Sequence, residues 1–183
     1  MRILSTPIPD LTVAETLAVN DDRGSFLRLY CEQVLSAVIG DRQIVQINHS
    51  QTKNPGVIRG MHFQTPPHSE MKLVRCTKGR VWDVAVDLRF GSSTFLKWHG
   101  LELSPENKFM IIIPEGFAHG FQSLEPESEL IYLHTSAYHS EAEVSIHHAD
   151  PRLNIRWPLP VTGFSPKDAQ ARFIDSNFRG LIL

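Results

Sequence analysis

Short β-branched and aromatic runs, each closed by Gly, Pro, Asn or Ser, recur along this chain and leave room for little besides strands. The runs read this way are 25–31 (SFLRLYC), 42–50 (RQIVQINHS), 72–79 (KLVRCTKG), 80–88 (RVWDVAVDL) and 109–114 (FMIIIP). The fourth is the sharpest. Trp82, Val84, Val86 and Leu88 fall on one face and Asp83, Ala85 and Asp87 on the other, the period of two that a pleated strand imposes. Residues 129–138 (ELIYLHTSAY) continue the pattern, with Leu130, Tyr132 and His134 sharing a face. Helical signals are confined to 32–40 (EQVLSAVIG) and a last turn near 165–174 (SPKDAQARFI). Without linker, repeat or low-complexity stretch, this predicts one all-β sandwich or barrel domain over residues 1–183, with a few short helices.

The bulk numbers exclude several classes of partner. Hydrophobic residues are 42% of the 183 and charged residues 21%, an ordinary globular balance. A formal net charge of −2 gives no bulk attraction for nucleic acid or an acidic membrane. The longest apolar runs, such as Phe109 to Ile113, are far too short to span a bilayer. The opening MRILSTPIPD lacks the continuous apolar region of a signal peptide. Cys31 and Cys76 show no C-x-x-C spacing and read as reduced, partly buried thiols, so a cytoplasmic location is expected.

Two histidine motifs carry the chemistry. Gly56 stands six positions before His62, and Lys72 seven before Gly79, the punctuation of the first metal motif in β-barrels of the cupin type. Pro114, Gly116 and His119 (P-x-G-x-x-H) match the second. Yet Gln64 occupies the second histidine position and Lys72 the glutamate position, leaving two of four ligands and placing a cation where an ion would sit. No metal is expected there, since metal sites need several convergent N, O or S donors. What stands in their place suits proton transfer. Histidine is a base near neutrality, a lysine beside it stabilises negative charge growing on an oxygen, and Tyr132 on a neighbouring strand can serve as acid. Together they suit proton abstraction beside a carbonyl and reprotonation from the other face, an epimerisation without cofactor. Residue types alone equally allow Tyr132 to be a core aromatic and Lys72 a solvated cation.

The motifs DDRGSF, VQINHS, GVIRGMHFQ, the lysine of EMKLV, VWDVAVDLR, PEGFAHGF, Tyr132 with Tyr138, and ADPRLNIRWP ahead of SPKD together resemble the dTDP-4-dehydrorhamnose 3,5-epimerase family from about Asp21 to Asp168. The resemblance implies a double-stranded β-helix, a cupin-like jelly-roll barrel, in a homodimer that exchanges N-terminal strands. It also implies a cofactor-independent epimerase of a dTDP-4-keto-6-deoxyhexose, working at C3, C5 or both in rhamnose-type deoxysugar biosynthesis. Carried over by residue, His62 is the base held by Asp168, Lys72 faces the C4 oxygen and Tyr132 is the acid. Arg23 and Arg59 match diphosphate-binding positions, Gln46, Asn48, His119, Glu143 and Lys167 further ligand contacts, and Tyr138 the aromatic that stacks on the base. Arg28, Ile47 and Ser140 depart from the family pattern, where an acidic residue, an acidic residue and a proline are usual. These departures bear on the nucleotide or sugar bound and leave the catalytic set intact. A single-centre epimerase, a keto-isomerase of another deoxysugar nucleotide and a non-catalytic sugar-binding cupin remain as alternatives. His68, His99, His139, His147 and His148 are expected to be solvated.

Overall fold

The computed structural model describes residues 1–183. Strands β1 (Arg2–Ser5) and β2 (Thr12–Glu15) are followed by a ribbon of β3 (Val19–Asp21) and β4 (Gly24–Phe26), helix α1 (Glu32–Ile39) and β5 (Gln46–Thr52). Then come β6 (Ile58–Gln64), β7 (Lys72–Lys78), β8 (Val81–Asp87), β9 (Trp98–Leu103), β10 (Phe109–Ile113), β11 (Phe117–Ser123), β12 (Ser128–His134), β13 (Glu143–Ser145) and the single-turn α2 (Pro166–Ala169). Antiparallel pairing builds a six-stranded sheet in the order β1-β2-β10-β7-β12-β5 and a five-stranded sheet in the order β13-β6-β11-β8-β9. Their inner faces share one apolar cluster, including Val74, Ala85, Ile111, Phe121 and Leu130, so the two sheets close into the expected jelly roll.

Why FMIII is apolar throughout, instead of alternating, follows from its neighbours. Ile111 and Ile113 point into the barrel, whereas Met110 and Ile112 point outward against Leu35 and Ile39 of α1. A strand covered on both faces has no wet side to mark with polar residues. Strand β8 is likewise covered on both faces. Val84, Val86 and Leu88 lie under the C-terminal segment with Leu153, Trp157 and Phe178, and Asp83 and Asp87 are fully buried on the inner side. Alternation told which residues share a face. It could not tell which face was wet.

Two strand expectations shift. The run 25–31 is strand only through Phe26, because β4 has β3 alone as a partner and nothing pairs with residues 27–31 before Cys31 caps α1. In 42–50, strand pairing begins at Gln46 and runs on to Thr52, following the length of β12 against which β5 lies. The helix read at 32–40 is α1, and the turn read in SPKDAQARFI is α2.

Candidate active site

The inner face of the six-stranded sheet grades from apolar to ionic along the barrel axis. Register places Cys76, Leu130 and Ser50 in one row across β7, β12 and β5, then Val74, Tyr132 and Asn48, then Lys72, His134 and Gln46. The lowest row belongs largely to the core and the upper two open into a cavity of about 600 Å³. On the facing sheet His62 of β6 and His119 of β11 are register partners, so both imidazoles enter the same space. Apart from Arg23 and Lys167, every site residue named from the sequence lines this cavity.

Each imidazole is tied to a carboxylate. His62 Nε2 lies 2.6 Å from Asp168 Oδ1, and Asp168 is buried at the start of α2, where Ser165 caps its backbone N–H. Burial alone would raise the Asp168 pKa, but hydrogen bonds and charge from His62, the Ser165 hydroxyl and the Gly60 N–H bring it below the usual range. An ionised carboxylate only accepts, so the proton of neutral His62 sits on Nε2 and Nδ1 is left as the free base atom. Gly60 is the residue that allows this geometry. It has φ +122°, and a Cβ there would fall 2.5 Å from the Gly120 Cα on β11. His119 Nε2 is held in the same way, 3.0 and 2.9 Å from the two oxygens of Asp83.

On the opposite wall, Tyr132 bonds the Ser50 hydroxyl at 2.9 Å, and burial raises its pKa so that it remains a neutral O–H. Lys72 Nζ lies 3.1 Å from Glu70 Oε1 and 3.4 Å from the His62 carbonyl oxygen, which brings it beside the strand that carries the base. Arg59 donates to Thr52 Oγ1 at 3.0 Å and to the Gln51 carbonyl at 2.9 Å. At the rim the Tyr138 hydroxyl donates to Glu143 Oε2 at 2.8 Å, and Lys167 pairs with the same oxygen. Burial would raise the Glu143 pKa, yet Lys167 and Tyr138 bring it below its ordinary value.

Gln64 uses its amide on the surrounding loops. It donates to the His68 and Ala137 carbonyls, each at 3.1 Å, and accepts from the His139 N–H at 2.6 Å. Of the histidines expected in solvent, His148 is buried and His99 half-buried on β9, while His68 and His139 stack with ring centroids 3.6 Å apart. His148 lies under Phe164, and His99 is part of a strand, so neither belongs to an open loop. Arg23 lies apart from the cavity. It sits at the tip of the β3–β4 ribbon with a side chain 90% exposed, paired with Asp21. Sequence reasoning missed Asp83, Glu70, His134 and Ser50. Alternation put His134 on the face of Tyr132 and grouped Asp83 with Ala85 and Asp87, without telling which face of β8 was the inner one.

Comparison with known proteins identifies relatives over nearly the whole chain. A family profile described as dTDP-4-dehydrorhamnose 3,5-epimerase matches residues 5–176. The dTDP-4-dehydrorhamnose 3,5-epimerase of Shigella flexneri is 41% identical over 180 residues, covering 97% of this chain and 99% of that protein. A crystal structure of dTDP-6-deoxy-D-glucose-3,5-epimerase from Legionella pneumophila in complex with dTDP-4-keto-L-rhamnose superposes with a TM-score of 0.91 at 40% identity, covering 100% of this chain and 98% of that one. A 3'-monoepimerase from Streptomyces bikiniensis in complex with dTDP-quinovose superposes at 0.85 and 27% identity, covering 92% and 85%.

Proposed function

The chain belongs to the dTDP-4-dehydrorhamnose 3,5-epimerase family, and we infer that it is an isomerase inverting C3 and C5 of a dTDP-4-keto-6-deoxyhexose in deoxysugar nucleotide biosynthesis. The reading rests above all on one observation. A carboxylate-oriented imidazole enters the cavity from one sheet, and an ammonium and a neutral phenol enter from the other. In this reading His62 Nδ1 takes the proton beside the C4 carbonyl and Asp168 stabilises the imidazolium formed. The ammonium of Lys72 lowers the energy of the enolate oxygen as its charge develops. Tyr132 returns a proton from the opposite face. We assign diphosphate binding to Arg59 and Arg23, base stacking to Tyr138, and polar contacts to Gln46, Asn48, His119, Glu143 and Lys167. We read the whole chain as one domain.

No metal step is needed in this scheme. His62 and His119 both commit Nε2 to carboxylates, and Lys72 stands where a further ligand would be required. Full turnover should survive exhaustive chelation; loss of activity restored by zinc or nickel would overturn that. Incubation with dTDP-4-keto-6-deoxyglucose in D2O tests the reaction itself, with deuterium expected at C3 and C5 of the inverted product. Deuterium at one carbon only would assign a single-centre epimerase. A moved carbonyl would assign a keto-isomerase, and no uptake would leave a sugar-binding protein without catalysis.

We also infer a homodimer that exchanges N-terminal strands. Strands β3 and β4 pair only with each other, and they present Val19 and Phe26, 67% and 70% exposed. Two strands alone are marginal in water, so this ribbon fits a role against a second copy. No helix is long and apolar enough to cross a membrane. Two free cysteines and a nucleotide-sugar substrate favour the cytoplasm.

A further inference from the structure

Behind Lys72 lies a third carboxylate–imidazole pair that the reaction scheme leaves without a task. Glu70 is 8% exposed in its side chain and His134 10%, yet both line the cavity. Glu70 Oε1 takes the Lys72 ammonium at 3.1 Å, and Oε2 lies 2.7 Å from His134 Nδ1. Burial would raise the Glu70 pKa, but His134 and Lys72 reverse the shift and keep it an acceptor. The direction of the remaining bonds then follows. Nδ1 of neutral His134 must donate to Glu70, so Nε2 must accept, and the partner 3.3 Å away is the Asn48 amide nitrogen. Asn48 Oδ1 in turn accepts from Gln46 Nε2 at 3.1 Å, and Gln46 Oε1 accepts from the Tyr138 backbone N–H at 3.0 Å. Every donor in this chain points toward Glu70.

We propose that Glu70 and His134 are positioning residues for the epimerisation, with Glu70 fixing the place of the Lys72 ammonium and His134 fixing the rotamer of Glu70. One terminal acceptor also sets the polarity of the two amides above it. Asn48 and Gln46 each spend one N–H within the chain and present the second as a donor, matched to an oxygen acceptor on the ligand. Contacts made by the ligand at Gln46 and Asn48 are thereby coupled to the ammonium that meets the enolate. The rate effect rests on the epimerase reading above, whereas the placement of Lys72 can be read without turnover.

Three variants separate these roles. Glu70→Gln has one oxygen where two acceptors are needed, so kcat should fall at least about tenfold. His134→Asn keeps an N–H donor where Nδ1 stood but removes the acceptor for Asn48. It should hold kcat within about threefold of wild type and raise KM. His134→Ala frees Glu70 and should lower kcat as Glu70→Gln does. Crystal structures of the three variants, with dTDP bound, should keep Lys72 Nζ within hydrogen-bond distance of residue 70 in His134→Asn and show it displaced in the other two. Wild-type kcat in Glu70→Gln would overturn the proposal, as would His134→Asn being as slow as His134→Ala. If the wild type turned over no keto sugar, the epimerase reading would fail separately. The ammonium position would still decide whether Glu70 and His134 hold Lys72, and an unmoved Nζ in Glu70→Gln would sink the inference.

Discussion

Asp168 remains ionised although only 3% of its side chain reaches solvent, and what His62 can do depends on that charge. His62→Asn removes the imidazole nitrogen assigned to abstraction, and exchange at every carbon should drop about a hundred- to ten-thousandfold in D2O. Asp168→Asn leaves a base but loses control of its tautomer, so a smaller loss of roughly a hundredfold is expected in kcat. The same carboxyl shapes acid stability. Its pKa is lower folded than unfolded, so its contribution is present above the unfolded value and is lost as pH falls through the folded one. The Tm difference between wild type and Asp168→Asn should therefore be largest near neutrality and shrink below about pH 4 in thermal scans. Tyr132→Phe should part the two halves of the reaction. His62 and Lys72 suffice to form and hold the enolate, while inversion needs the acid on the far wall, so the variant should exchange C–H for C–D and yield little inverted sugar. Equal losses in both would place Tyr132 in the abstraction step.

Strands β6 and β11 meet where the pairing slips between His119 and Phe121, and the site depends on how closely they approach there. Gly60→Ala would put a methyl group 2.5 Å from the Gly120 Cα and hold an L side chain at φ +122°. Backbone strain of about 1–3 kcal/mol is expected in denaturant unfolding, together with a loss of kcat as the Gly60 N–H leaves Asp168. Wild-type stability and turnover in this variant would mean that the two strands can separate freely. At this scale the sequence was a partial guide. β8 and β10 were legible because periodicity or an unbroken apolar run survives tertiary context. β1, β2 and β9 carried too few alternating residues to stand out, and β4 ended early for want of a partner strand. His62, Lys72 and Tyr132 could be picked out from spacing and residue type. Asp83 and Glu70 could not, because a carboxylate on an alternating strand or in a loop reads as solvated until the imidazole of a neighbouring strand is seen against it.

In a single copy of the chain Arg23, one of the contacts implied by its sequence, stands on the ribbon tip outside the cavity. Only family resemblance marked it as a ligand contact. No local pattern could, because under the strand exchange proposed above the cavity it serves would belong to another copy. If the ribbon is exchanged, each cavity takes His62 from one subunit and Arg23 from the other, and the dependence can be read by mixing. Arg23→Ala and His62→Asn dimers should each turn over poorly at substrate concentrations below KM. Unfolding the two together and refolding them at equal ratio makes half of all dimers mixed. Each mixed dimer has one cavity with both defects and one with neither, so about a quarter of wild-type activity should return. If Arg23 instead served its own cavity, every cavity in the mixed dimer would carry one defect, and activity would stay at the average of the parents. A monomer by light scattering would remove the exchanged ribbon altogether, and Val19 and Phe26 would then need another cover.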